Sequence, residues 1–187
     1  NFKNTLITLG VDTNSDGEIQ FDEAESVTSL TVVSAGVADF TGIQSFTNLI
    51  DFFCHNNVAT SLYVSNLNNL QQLRCENNLI STLNLTGCTS LMTLDCHNNL
   101  LTNLDIAGLQ NLIDVYLQNN PQLMTINASG CLSLNLLSLY ETNGTPSSFP
   151  SLQSVDISNC SSLTYFRIVE PNLVNLNTSG CISLNIM

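Results

Sequence analysis

Leu70-Gln71-Gln72-Leu73-Arg74-Cys75-Glu76-Asn77-Asn78 returns 21 residues later as Leu91-Met92-Thr93-Leu94-Asp95-Cys96-His97-Asn98-Asn99, and then as Leu112-Ile113-Asp114-Val115-Tyr116-Leu117-Gln118-Asn119-Asn120. The leucine that opens each copy recurs at Leu49, Leu70, Leu91, Leu112, Leu134, Leu163 and Leu184, with steps of 21, 21, 21, 22, 29 and 21 residues. A period of this length marks a chain built from stacked supersecondary units. No single unit can bury its own apolar edge, so successive units must stack into one elongated body.

Within each unit the stretch around Leu73-Arg74-Cys75 alternates apolar and polar residues, the period of a half-buried strand. About ten residues later a second alternation follows, as Leu83-Asn84-Leu85, Leu104-Asp105-Ile106, Ile126-Asn127-Ala128, Val155-Asp156-Ile157 and Leu176-Asn177-Thr178. These pieces are too short and too polar for helices and predict extended segments on the opposite side. The pattern L-x-x-L-x-C-x-N-N is the leucine-rich-repeat signature. The expected fold is a right-handed, mainly β leucine-rich-repeat solenoid with short extended convex segments. Its expected extent is 28–187, with a divergent first coil at 28–45, about six full coils and the start of a seventh. Asn57, Asn78, Asn99 and Asn120 stand where the chain leaves the inner strand, placed to bond otherwise unpaired backbone groups of adjacent coils. Thr142 and Pro171 replace them in later coils. The 29-residue step carries an insert between Leu139 and Val155, with Asn143-Gly144-Thr145-Pro146 as its turn signal, expected to form a loop at the rim of the inner face. Leu184-Asn185-Ile186-Met187 begins an inner strand without a polar closing unit, which leads us to expect further coils, a cap or another domain beyond it, or a partner over that end.

Composition narrows the choice of partner. The chain has 187 residues with a formal net charge of −12, and its only Lys and Arg residues are Lys3, Arg74 and Arg167. Counterion-release binding to nucleic acid needs several basic contacts, so nucleic acid and anionic membrane are poor partners. No apolar run approaches the roughly 20 residues of a membrane span. The seven cysteines fall into two repeating slots, Cys54, Cys75 and Cys96 in one, Cys88, Cys131, Cys160 and Cys181 in the other. Stacking at about 4.8 Å per coil keeps same-slot sulfurs beyond the roughly 2.05 Å of a disulfide, so the thiols read as free core residues.

Ahead of the repeats, Asp12-Thr13-Asn14-Ser15-Asp16-Gly17-Glu18-Ile19-Gln20-Phe21-Asp22-Glu23 satisfies the twelve-position pattern of an EF-hand calcium loop. Asp12, Asn14 and Asp16 would supply alternate oxygens, Glu18 its carbonyl, Gln20 a ligand through water, and Glu23 a bidentate carboxylate. Residues 1–27 would then form a small helical EF-hand-like N-terminal cap, a structural clip holding calcium.

With these cap and coil motifs in view, the chain resembles the secreted or surface leucine-rich-repeat proteins of Bacteroidetes bacteria, which begin with a D-x-N-x-D-G-E-I loop and continue in L-x-x-L-x-C-x-N-N coils. The resemblance covers the cap and every coil. It implies an extracellular or outer-surface location and a binding, adhesion or interaction role.

Outward slots of the inner strands form three columns: Asp51, Gln72, Thr93, Asp114, Leu136, Tyr165; then Phe53, Arg74, Asp95, Tyr116, Ser138, Arg167; then His55, Glu76, His97, Gln118, Tyr140, Val169. Both histidines, both arginines and three of the four tyrosines lie there. Large contact-rich side chains gathered on one face suit a binding surface, for which Phe53, His55, Arg74, Asp95, His97, Tyr116, Tyr140, Tyr165 and Arg167 are the candidates. The expectation is a non-catalytic recognition module for a protein partner. A glycan-binding module and a structural spacer are the alternatives, and the absence of Trp tilts against a glycan. Asp95 and Asp114 are the best pair for a hydrolase, but a nearly flat strand face lacks the enclosed pocket that tunes a carboxylate.

Overall fold

The structure is a computed structural model describing residues 1–139, 149–164, 166, 168 and 172–184. The chain winds as a leucine-rich-repeat solenoid. Two short helices, α1 (Phe2–Thr8) and α2 (Phe21–Ser26), precede strand β1 (Ser29–Thr31), and a 3-10 turn stands at Ile43–Ser45. From there strands alternate between the two sides of the coil. On the inner side lie β2 (Asp51–Phe53), β4 (Gln72–Arg74), β6 (Thr93–Asp95), β8 (Asp114–Tyr116) and β10 (Leu136–Ser138); with β1 they make a six-stranded sheet in the order β1-β2-β4-β6-β8-β10. On the outer side β3 (Ser61–Tyr63) pairs with β5 (Thr82–Asn84), while β7 (Asn103–Asp105), β9 (Thr125–Asn127), β11 (Ser154–Asp156) and β12 (Asn175–Asn177) make a four-stranded sheet. Every pairing is parallel. Parallel neighbours need a long crossover between them, and here the rest of the coil supplies it, with the right-handed sense usual for such connections.

Register is strict because the side-chain period of a strand is two, so a one-residue slip would turn the apolar set outward. Phe52, Leu73, Leu94, Val115 and Leu137 are mutual partners on the inner strands and all are buried. Leu62, Leu104, Ile126 and Val155 close the core from the outer strands. Strands stop after three residues because the chain then turns. The first asparagine of each Asn-Asn pair, Asn56, Asn77, Asn98 and Asn119, has a positive φ between 53° and 57°, and asparagine tolerates that left-handed conformation better than most residues.

The second asparagine is buried and ties three backbone segments together. Asn99 Nδ2 donates to the carbonyls of Cys75 (3.0 Å) and Cys96 (3.2 Å), while its Oδ1 accepts from Ile80 N–H (2.9 Å). Asn57, Asn78 and Asn120 repeat the arrangement in their coils. Buried backbone groups left unpaired would cost about 1–3 kcal/mol each, so the amide ladder closes the core where the sheet ends. Thr142 and Pro171 lie outside the described residues.

All seven cysteines are free thiols, and all but Cys181 are buried. In the second slot each sulfur donates to a carbonyl one coil back: Cys88 to Val64, Cys131 to Ile106, Cys160 to Ala128 and Cys181 to Ile157, at 2.9–3.1 Å. The slot therefore combines small volume with a weak donor that satisfies a buried carbonyl. Of the insert, Phe149 is buried and the carbonyl of Pro150 accepts from Asn172 Nδ2 at 2.7 Å; residues 140–148 and 185–187 lie outside the described residues.

Candidate functional site: the inner face and the acidic loop

Parallel register places the outward residues of the inner strands in straight rows. Phe53, Arg74, Asp95, Tyr116 and Ser138 follow one another as direct partners, and Asp51, Gln72, Thr93, Asp114 and Leu136 form the row beside them. Neighbours in a row are about 4.8 Å apart by strand spacing, so they act as one surface. The Arg74 guanidinium carbon sits 5.5 Å from the centre of the Phe53 ring, a cation–π contact. That contact holds the long arginine side chain in place. Tyr116 is half-buried; burial first, then the charges of Asp114 and Asp95, push its phenol up, and Arg74 acts in the opposite direction.

His97 of the third row meets Asp95 of the row beside it, Nδ1 to Oδ1 at 2.5 Å and two residues along the same segment, which orients the imidazole. His55 Nδ1 lies 3.7 Å from Glu76 Oε1, too far for a hydrogen bond. Glu76 and Gln118 stand in outward slots yet are buried, because their neighbours close over them. Gln118 satisfies its amide on Ser138 Oγ at 2.7 Å, whereas Glu76 Oε2 and His55 Nδ1 are enclosed without a hydrogen-bond partner among the described residues. Of the nine candidates for the inner face, the structure brings together Phe53, His55, Arg74, Asp95, His97 and Tyr116; Tyr140, Tyr165 and Arg167 lie outside the described residues.

The acidic loop is wound tightly around its own backbone. Asp12 is almost fully buried, and its carboxylate accepts from Gly17 N–H (2.9 Å) and Asp16 N–H (3.2 Å). Asn14 Oδ1 accepts from Asp16 N–H, Asp16 Oδ1 from Glu18 N–H, and Asp16 Oδ2 from Gln20 Nε2 (2.6 Å). Gly17 has φ +84°, the sharp turn that a side chain would strain. Glu23 swings back across the loop from α2. Its Oε1 accepts from Thr13 N–H (2.7 Å) and its Oε2 from Gln20 N–H (3.0 Å), the latter completing a reciprocal cap of the helix. Glu18 points its side chain to Lys3 at 2.6 Å, leaving only its carbonyl for the loop. The loop thus gathers Asp12, Asn14, Asp16, Gln20 and Glu23, all hard oxygen donors of the kind calcium takes. Each carboxylate is at present occupied by backbone N–H groups, and among the described residues no three His, Cys, Asp or Glu side chains converge as a metal cluster.

On the outer side the second outward slot is an aspartate or asparagine in five coils. Asn84, Asp105, Asn127, Asp156 and Asn177 each accept, at 2.8–3.3 Å, from the N–H two residues on. Side chains of this kind stabilise turns by mimicking a backbone acceptor. Tyr63 holds that slot in the first regular coil, as the register partner of Asn84. The sequence carries the signal, since Ser61-Leu62-Tyr63 aligns with Thr82-Leu83-Asn84 one period later.

No protein-family model matches the chain, and no curated protein matches it. Among solved structures the chain is similar to the functional domain of InlJ from Listeria monocytogenes, which includes a cysteine ladder. That match has a TM-score of 0.47 and 18% identity over 95% of this chain and 60% of the other. An internalin, inlF, from the same species matches with a TM-score of 0.33 and 16% identity over 92% of this chain and 74% of the other. The chain therefore spans 60% of the InlJ domain's length. Among the described residues no helix is long and apolar enough to cross a membrane.

Proposed function

We propose that the protein is a non-catalytic recognition module that binds a protein partner through its inner strand face. The observation that carries this reading is the row Phe53-Arg74-Asp95-Tyr116. It is an aromatic, a stacked guanidinium, a carboxylate and a second aromatic held at fixed spacing on a rigid sheet. Aromatic side chains, and an arginine already resting on a ring, lose less entropy on binding than a free long side chain and give large desolvated contacts. A pull-down of partners from the native surroundings tests it. Arg74→Ala with Tyr116→Ala should weaken capture by at least about tenfold, the loss of roughly 1.4 kcal/mol, whereas Thr82→Ala with Thr86→Ala on the outer side should leave it unchanged. Equal effects from the two pairs would overturn the reading.

The acidic loop supports a second element of the proposal, a calcium ion held by Asp12, Asn14, Asp16 and Glu23, the Glu18 carbonyl, and Gln20 through water. Its support is the twelve-position pattern of hard oxygen donors in the sequence and the sharp turn at Gly17 around which the loop winds. Calcium would substitute for the backbone donors now on Glu23 and clip α2 to the first coil. Such a site, filled at the millimolar calcium found outside cells, suits an extracellular or outer-surface protein, the location that the sequence resemblance implies. Calorimetric titration of the metal-free chain with calcium, beside magnesium, tests it; no heat at millimolar calcium would remove the ion from the proposal.

A further inference from the structure

Tyr63 is the exception in a column governed by a structural rule. In five other coils the same slot carries Asn or Asp, whose side chain caps an N–H two residues on. In the coil of Tyr63 the Ser65 N–H has no such cap, and Tyr63 stands 47% exposed. A position that breaks a local rule without a packing gain is where function is to be sought. Beside the ring a cavity of about 270 Å³ opens between the divergent first coil and β3, lined by Asp39, Thr41, Gln44, Thr60, Ser61 and Tyr63 among others.

Its chemistry is specific. Asp39 Oδ1 accepts from Thr41 N–H (2.8 Å) and Thr41 Oγ1 (2.7 Å), which fixes the carboxylate and leaves Oδ2 without a hydrogen-bond partner among the described residues. The exposed Gln44 amide, which can donate twice and accept, has no side-chain partner there either. Thr60 and Ser61 add hydroxyls at the rim. The cavity thus offers one flat apolar surface, one committed acceptor, one amide and several hydroxyls, with a single charge already partly engaged. A cationic ligand would find too few carboxylates and an anion would meet Asp39. A pyranose ring has the matching surface, an apolar C–H face to lie on Tyr63 and a rim of hydroxyls that both donate and accept. The volume is just below the range of drug-sized pockets, as suits one sugar unit.

We propose that this cavity is a carbohydrate site that takes one pyranose unit of a neutral glycan, stacked on Tyr63 and oriented by Asp39 and Gln44. The site lies apart from the inner strand face and does not depend on the protein-binding role proposed for that face.

Heteronuclear NMR of the 187-residue chain with the methyl pyranosides of glucose, galactose, mannose and N-acetylglucosamine, each at millimolar concentration, tests the proposal. At least one should shift the amides of Gln44, Ser61 and Tyr63. Tyr63→Asn is the decisive variant because it installs the residue that other coils carry. It should fold with an unchanged or raised melting temperature, through the new cap on Ser65 N–H, and lose binding by about tenfold or more. Gln44→Ala, at an exposed position, should weaken binding with the fold intact and serves if the first variant misfolds. Arg74→Ala on the inner face should bind sugar as the parent does. No perturbation by any of the four pyranosides, or binding that survives both Tyr63→Asn and Gln44→Ala, would overturn the assignment.

Discussion

Asn66 Oδ1 lies 2.8 Å from the point that a β-carbon would occupy on Gly87, one coil further along. Gly87 also has φ +84°. Two constraints therefore meet at one residue, a left-handed backbone and the close approach of a side chain from the preceding coil. Gly108 shares only the first, with φ +71° and nothing within 4 Å of its virtual β-carbon. Gly108→Ala should cost about 1–2 kcal/mol, the left-handed penalty alone. Gly87→Ala should cost about 1–3 kcal/mol more, as Asn66 and its turn are pushed aside. Urea denaturation of the two variants checks the difference; equal losses would mean that Asn66 turns away without cost.

The asparagine ladder predicts a larger effect from one side chain. Asn99→Ala removes the acceptor of Ile80 N–H and the donor to the Cys75 and Cys96 carbonyls, all of them buried. A loss of about 2–4 kcal/mol is expected if one or two of these groups find no water. Asn103→Ala, on an exposed outer slot, should stay within about 0.5 kcal/mol. Thermal unfolding of both variants under identical conditions gives the comparison, and a ladder variant as mild as the control would show that water replaces the amide.

Thiol reactivity should be ordered by burial. Burial pushes Cys88 and Cys131 up to about 11 and Cys160 up to about 12, and it raises Cys54, Cys75 and Cys96 as well. Only the thiolate alkylates readily. In the native protein near neutral pH, Cys181, the one thiol not fully buried, should therefore react first with iodoacetamide and the other six only through unfolding. Denatured, unreduced protein should take up seven labels, matching the free cysteines. Mass spectrometry with peptide mapping reads both, and fewer than seven labels would place a disulfide where the slots forbid one.

Acid should loosen the junction between the loop and α2. The Gln20 N–H foremost, with the Thr13 hydroxyl and the Thr13 and Asn14 N–H groups, holds Glu23 below its ordinary 4.5, against the opposing pull of burial. A carboxylate whose folded pKa is depressed contributes stability that is complete above its unfolded value and is lost as pH falls through the folded one. Amide exchange at Thr13 and Gln20, corrected for intrinsic rates, should therefore accelerate as pH falls below 4.5 through the depressed folded value. Glu23→Gln should be less protected at neutral pH and flat across that window. Protection that is pH-independent in the parent would show that the cap does not rest on the charge.

The 21-residue recurrence of Leu70-x-x-Leu73-x-Cys75 determined by itself that the chain coils, which residues face inward and which rows face out, because a period-two strand inside a fixed repeat leaves no freedom of register. The loop pattern from Asp12 to Glu23 likewise singled out the oxygens proposed to hold calcium. Tertiary structure alone decided the rest. That Glu76 and Gln118 are buried in outward slots depends on how neighbouring rows close over them, and that Glu23 is held by Thr13, Asn14 and Gln20 depends on the angle at which α2 meets the loop. The two asparagines of each pair look alike in sequence, yet one supplies a left-handed turn and the other a buried amide bridge. The cavity at Tyr63 is the clearest case. Asp39 and Gln44 belong to an irregular coil with no period to place them, and only the stacking of that coil on the next brings their polar groups beside the ring. Periodicity specifies what repeats; contacts made where the repeat breaks are set by the folded backbone.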